Sequence, residues 1–122
     1  MSFPHAVALI DHHSAHVLQF DDDHVETQKV KAHTHHTRQH GSSVRTEHEF
    51  FGEVCDALAG IAEVLVTGSH TVQADFRHYV DKHRAGLAKH IVAWETADHP
   101  TDNQLLALAR RYFVEHDKAR AC

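Results

Sequence analysis

The sequence predicts an α/β domain: a five-stranded mixed sheet in the order 3-2-1-4-5, with helices on both faces. Three observations lead to it. The first part of the chain holds three short strand-forming runs joined by tight polar breaks. The remainder alternates buried-type strands with amphipathic helical patterns. The length of 122 residues, 42% hydrophobic and 24% charged, suits one domain, residues 1–122, around one core.

Residues 5–11 (HAVALID) are short and almost wholly apolar. A strand buried on both faces reads this way, so it takes the centre of the sheet. The polar break Asp11-His12-His13-Ser14 suits a tight turn into residues 15–20 (AHVLQF), where His16, Leu18 and Phe20 share a face. The short separation favours an antiparallel hairpin. Asp21-Asp22-Asp23 is a solvated turn. Residues 24–32 (HVETQKVKA) form a weaker third strand. Val25 and Thr27 have one parity and Val30 and Ala32 the other, which predicts a bulge near Gln28-Lys29. Lys29 and Lys31 are charges of the kind that protect an edge strand from pairing with other chains.

Thr46-Glu47-His48-Glu49 matches a capping box and predicts a helix from about Thr46 to Ala59. Its apolar stripe is Phe50, Val54 and Leu58, widened by Phe51 and Cys55, and Gly60 stops it. Residues 61–67 (IAEVLVT) are a second buried-type strand. Gly68-Ser69-His70-Thr71 then turns into a helix facing the sheet with Val72, Phe76, Tyr79, Val80 and Leu87, ended or loosened at Gly86. A fifth strand centres on residues 91–94 (IVAW), broken at His99-Pro100. A second capping box, Thr101-Asp102-Asn103-Gln104, opens a helix with Leu105, Leu108, Ala109, Tyr112, Phe113 and His116 on one side. The polar tail from about Asp117 is expected to fray. The order β-β-β-α-β-α-β-α, with right-handed parallel crossovers in the second half, is the ribonuclease H-like topology.

Composition excludes several functions. With neutral imidazoles the formal charge is −5, so near neutrality there is no global basic footprint for nucleic acid. Sixteen histidines would turn the net charge positive in mild acid. The start has no basic n-region, and no stretch is long and apolar enough to span a membrane, which points to a cytoplasmic protein. Cys55 reads as a small core residue and Cys122 as a terminal thiol, not as a disulfide pair.

The histidines concentrate in residues 32–49, where His33, His35, His36, His40 and His48 follow one another without an apolar pattern. On an extended strand His33 and His35 share a face about 6–7 Å apart, a spacing fit for two ligands of one ion. His36 and His40, or the distant His12, His13 or His24, would complete a set suited to zinc, nickel or copper. Arg38, Gln39, His40, Gly41 and Arg45 form a local patch that would face RNA. Asp11 with Glu47, Glu49 or Glu53 is roughly placed for metal-dependent nuclease chemistry, but the end of the fourth strand supplies no carboxylate. A turn role for Asp11 and a capping role for Glu49 fit those residues better. Gly68-Ser69-His70-Thr71 before a helix has free N–H groups that can hold a phosphate.

Three stretches resemble a known family: AVALIDHHSAHVLQF, HEFFGEVCDALAGIAEVLVTG, and FRHYVDKH with VAWETADHPTDNQLLALARRYF. The chain resembles the middle domain of the archaeal and eukaryotic peptide-chain release factor and Pelota family. It is more similar still to the small bacterial "translational machinery protein" family, for which Asp98-His99-Pro100-Thr101-Asp102 is the most specific piece. The resemblance implies a ribosome- or RNA-associated module. Release factors of that family carry Gly-Gly-Gln between the third strand and the first helix. Here the place holds Arg38-Gln39-His40-Gly41-Ser42-Ser43, so peptidyl-tRNA hydrolysis is not implied. Relatives also carry Gly-Pro and a following lysine after the fourth strand, where this chain has Gly68-Ser69-His70-Thr71-Val72-Gln73. The expectation is a non-enzymatic translation-factor-like module, with metal binding through the histidine-rich stretch and a metal-dependent nuclease as alternatives. An oligomer is compatible with all three.

Overall fold

A computed structural model describes residues 4–21, 23–32, 42–98 and 100–121, apart from the side chains of 42–46 and 116–121. The strands are β1 (His5–Ile10), β2 (Ser14–Phe20), β3 (Val25–Lys31), β4 (Glu63–Gly68) and β5 (Ile91–Thr96). The helices are α1 (Ser42–Ala57), α2 (His70–His83), a single turn α3 (Ala85–Ala88) and α4 (Asp102–Ala121). The sheet order is β3-β2-β1-β4-β5, as expected. β1 pairs antiparallel with β2 and parallel with β4. β2–β3 is antiparallel and β4–β5 parallel.

Strand alternation divides the interior into two layers. On one face Ala6, Ala8, Ile10, Ala15, Val17, Val64 and Val66 pack against Phe50, Phe51, Val54, Cys55 and Leu58 of α1 and its end, and Val72, Phe76 and Val80 of α2. On the other, Val7, Leu18, Phe20 and Leu65 meet Leu105, Ala109 and Phe113 of α4. β1 is thus buried on both sides, as its unbroken apolar run predicts. Burial of Cys55 pushes its thiol up to about 11, so it behaves as a core side chain and not as a nucleophile. Among the described residues no helix is long and apolar enough to cross a membrane.

Four local expectations are corrected. α1 begins at Ser42, not near Thr46. The four residues before the box contain no glycine or proline, so the hydrogen-bond ladder extends upstream through them. β3 has no bulge: Ser14↔Lys31 through Phe20↔Val25 is continuous. Only Val30 of this edge strand is buried, and Val25 is 43% exposed, so its parity imposes nothing on the backbone. The irregularity lies in β5 instead. The register shifts between Val64 and Leu65, which lets Ile91 and Trp94 pack on the α1–α2 face and Val92 and Ala93 on the α4 face. α2 ends two residues before Gly86, at Arg84, whose φ of −136° and ψ of 52° break the helix while its guanidinium pairs with Asp56 of α1 at 3.0 Å. α4 runs to Ala121, past the expected end near Asp117. Its capping box is formed as expected: Thr101 N–H donates to Gln104 Oε1 at 2.9 Å, and Gln104 N–H to Thr101 Oγ1 at 3.2 Å.

Candidate functional site

The carboxyl ends of the three parallel strands open into a cleft of about 560 Å³. Open α/β sheets offer ligands this kind of crevice. Its floor is Leu9 and Ile10 at the end of β1 and Gly68 at the end of β4. Its rim comes from the connections that follow β1, β4 and β5 and carries Asp11, His12, Ser69, Asp98 and Asp102.

Each connection is held by its own hydrogen bonds. Asp11 Oδ1 accepts from the His13 N–H at 2.9 Å, and the Asp11 N–H donates to Ser14 O at 2.8 Å. Asp11 is therefore the turn residue that its sequence context favours. Ser69 caps α2: its Oγ accepts from the Val72 N–H at 3.4 Å and its carbonyl from the Gln73 N–H at 3.1 Å. The serine thus itself satisfies part of the donor set that a phosphate would use. Across the cleft His16 Nδ1 lies 3.1 Å from Asp102 Oδ1, joining β2 to the first turn of α4, where a carboxylate is favoured by the helix dipole.

Gln73 is the residue that sequence reasoning passed over. It is a polar side chain only 8% exposed. Its Nε2 donates to Gly68 O at 2.7 Å and to Glu95 O at 2.8 Å, binding the ends of β4 and β5 together. The available signal was a polar residue between Val72 and Phe76 on a buried helix face. Gln73→Leu is expected to cost about 1–3 kcal/mol, because the buried Gly68 carbonyl and the part-buried Glu95 carbonyl lose a donor that leucine cannot replace. Urea denaturation of the two proteins measures this, and an unchanged midpoint would refute the assignment.

The expected nuclease set does not assemble around Asp11. Glu47 is brought instead to His12 and Asp75, with one ligand atom from each within 4.8 Å of the others. Among the described residues this is the set of His, Cys, Asp or Glu that can share an ion. Glu53 lines a groove between β3 and α1 with Gln28 and Lys29, and Glu49 is exposed inside α1. Glu49 cannot cap the first turn, because the helix starts at Ser42. His24 sits in the β2–β3 turn, 3.5 Å from Asp21, at the opposite end of the sheet from His12 and His13. There the backbone N–H groups of Asp23 and His24 hold the Asp21 carboxyl below its usual range.

The remaining candidates, His33, His35, His36, Arg38, Gln39, His40 and Gly41, lie outside the described residues, as does the side chain of Arg45. The flanks of that segment are described. The Ala32 N–H donates to His13 O at 2.8 Å, and Glu47, in the second turn of α1, reaches His12. Both flanks therefore arrive at the end of the sheet that carries the cleft.

No protein-family model matches the chain, and no curated protein does. Solved structures share its fold. Pelota of Archaeoglobus fulgidus has a TM-score of 0.59 at 17% identity, over 88% of this chain and 30% of that one. Pelota of Thermoplasma acidophilum has 0.58 at 13%, over 84% and 30%. An archaeal translation termination factor, aRF1, has 0.59 at 16%, over 83% and 32%. The chain thus spans about a third of the length of each of these structures. The resemblance read from the sequence is borne out at the level of the fold.

Proposed function

We propose that this chain is a translation-factor-like module that associates with the ribosome or its RNA through the cleft-bearing end of the sheet. The observation that carries the reading is the fold shared with Pelota and with a translation termination factor. Two features support it. Both described flanks of the 33–41 segment reach that end. The segment also occupies the place between β3 and α1 where the resemblance puts the tripeptide of release factors. The sequence there contains no Gly-Gly-Gln, so the proposed role is binding and not hydrolysis of peptidyl-tRNA.

Arg38, Gln39, His40, Gly41 and Arg45 are the proposed contacts. Co-sedimentation with ribosomes tests them. The protein is expected in the ribosomal pellet at low salt and to leave it as salt rises, because contacts to phosphates release counterions. Arg38→Ala with Arg45→Ala should weaken pelleting. Protein that stays in the supernatant at every salt concentration between pH 6 and 8 would end this reading. Metal binding by His33, His35, His36 and His40 is proposed on spacing alone, with zinc, nickel or copper as the fitting ions.

A further inference from the structure

We propose that His12, Glu47 and Asp75 form a three-ligand site for a divalent first-row metal ion, with Zn²⁺ as the probe. This goes beyond the translation-factor reading, does not depend on it, and uses none of the histidines at 33–40. The three residues come from the β1–β2 turn, the second turn of α1 and the second turn of α2. No short motif joins them, and only the folded chain brings them together.

The geometry is close to that of a bound ion. One ligand atom from each residue lies within 4.8 Å of the other two. A tetrahedral ion with bonds of about 2.1 Å sets its ligand atoms roughly 3.4 Å apart. Rotation of side chains on a half-exposed surface covers that difference without moving the backbone. His12 and Asp75 are exposed and Glu47 is half-buried, so water can enter and fill the remaining positions.

The charge arrangement is the second observation. Two carboxylates face one another here, and among the described residues neither Glu47 nor Asp75 forms an ion pair with a lysine or arginine. Their mutual repulsion is relieved when a dication sits between them. The donor set also narrows the metal. An imidazole disfavours calcium and magnesium, and the lack of a thiolate disfavours Cu(I). One nitrogen and two oxygens, with open positions for water, suit Zn²⁺, Mn²⁺ or Fe²⁺. His12 also lines the cleft, so the ion would sit at its mouth.

The test is calorimetric titration with ZnCl₂ at pH 7.5 on the full chain carrying His33→Ala, His35→Ala, His36→Ala and His40→Ala. This background removes the separate contribution of the histidine-rich segment. The expected result is one-to-one binding. Each of His12→Ala, Glu47→Gln and Asp75→Asn should weaken it by at least the ~10–100-fold that loss of an outer-shell partner costs a metal site. Far-UV circular dichroism checks that each variant is folded, and the carboxamide variants change neither size nor shape. Zinc should also raise the melting temperature of the background protein and not that of the three variants. The proposal is overturned if the background protein lacks a one-to-one site. It is equally overturned if zinc binds as tightly after Glu47→Gln and Asp75→Asn, because scattered surface histidines would then account for the binding.

Discussion

Gly68→Ala is expected to cost about 2–6 kcal/mol of folding stability. Gly68 ends β4 with a φ of +146°, a region that residues with a side chain rarely adopt. A Cβ there would stand 2.4 Å from the carbonyl oxygen of Ile10. The obstacle is backbone, and it is backbone that cannot retreat, because Ile10 and Gly68 are partners in the central β1–β4 pair. The Gly68 carbonyl is fixed as well, accepting from Gln73 and from the Ala97 N–H at 3.2 Å. The strained φ costs about 1–3 kcal/mol. The overlap costs about 1–3 kcal/mol more, and more still where nothing yields. Set against a total stability of ~5–15 kcal/mol, the sum removes a large share of the folding free energy. Urea denaturation followed by circular dichroism measures it, and a native-like midpoint would show that β1 and β4 can separate locally.

Phe76→Ala is expected to cost about 3–5 kcal/mol, as does removal of a fully enclosed aromatic ring in general. Phe76 has no exposed surface. Its ring lies edge-on to Phe51 of α1 at 5.2 Å and 6.1 Å from Trp94 of β5. It therefore joins α1, α2 and the sheet at one point, and alanine would leave a cavity bounded by rigid elements on three sides. The denaturation midpoint should fall while its steepness is retained. A loss below about 1 kcal/mol would mean that α2 collapses into the space.

The sheet was legible because its strands announce both period and burial. HAVALID is apolar on both faces and becomes the central strand. Lys29 and Lys31 mark the edge. The Thr101–Gln104 box is legible in full because its two hydrogen bonds are local. The box at Thr46–Glu49 misled for the same reason: a local signature shows where a helix can start, not how far upstream the ladder continues. The bulge was placed in β3 when it lies in β5. Parity is informative only where one face of a strand is buried along its length, and β3 is exposed along most of its length.

The candidate site was legible only in part. Asp11 and the Gly68-Ser69 turn were found from their polar breaks between apolar runs. The convergence of His12, Glu47 and Asp75 was not, because it depends on how α1 and α2 lie over the β1–β2 turn. Gln73 was hidden for a different reason. Its importance comes from two carbonyls on other elements, and nothing in its neighbours along the chain reports them.

The parallel pairing of β1 with β4 has a kinetic and evolutionary consequence. His5 and Glu63 are register partners yet stand 58 positions apart in the chain. Closing that distance is the slow, entropically costly step of forming the sheet, after the local β1–β2–β3 meander. The cost grows only with the logarithm of the enclosed length. Inserting roughly ten residues between β3 and α1 would double the connection 32–41 and still add only about 0.6 kcal/mol of closure entropy. The chain between those elements is therefore a place where length can drift at almost constant stability, leaving selection there to act on what the segment contacts.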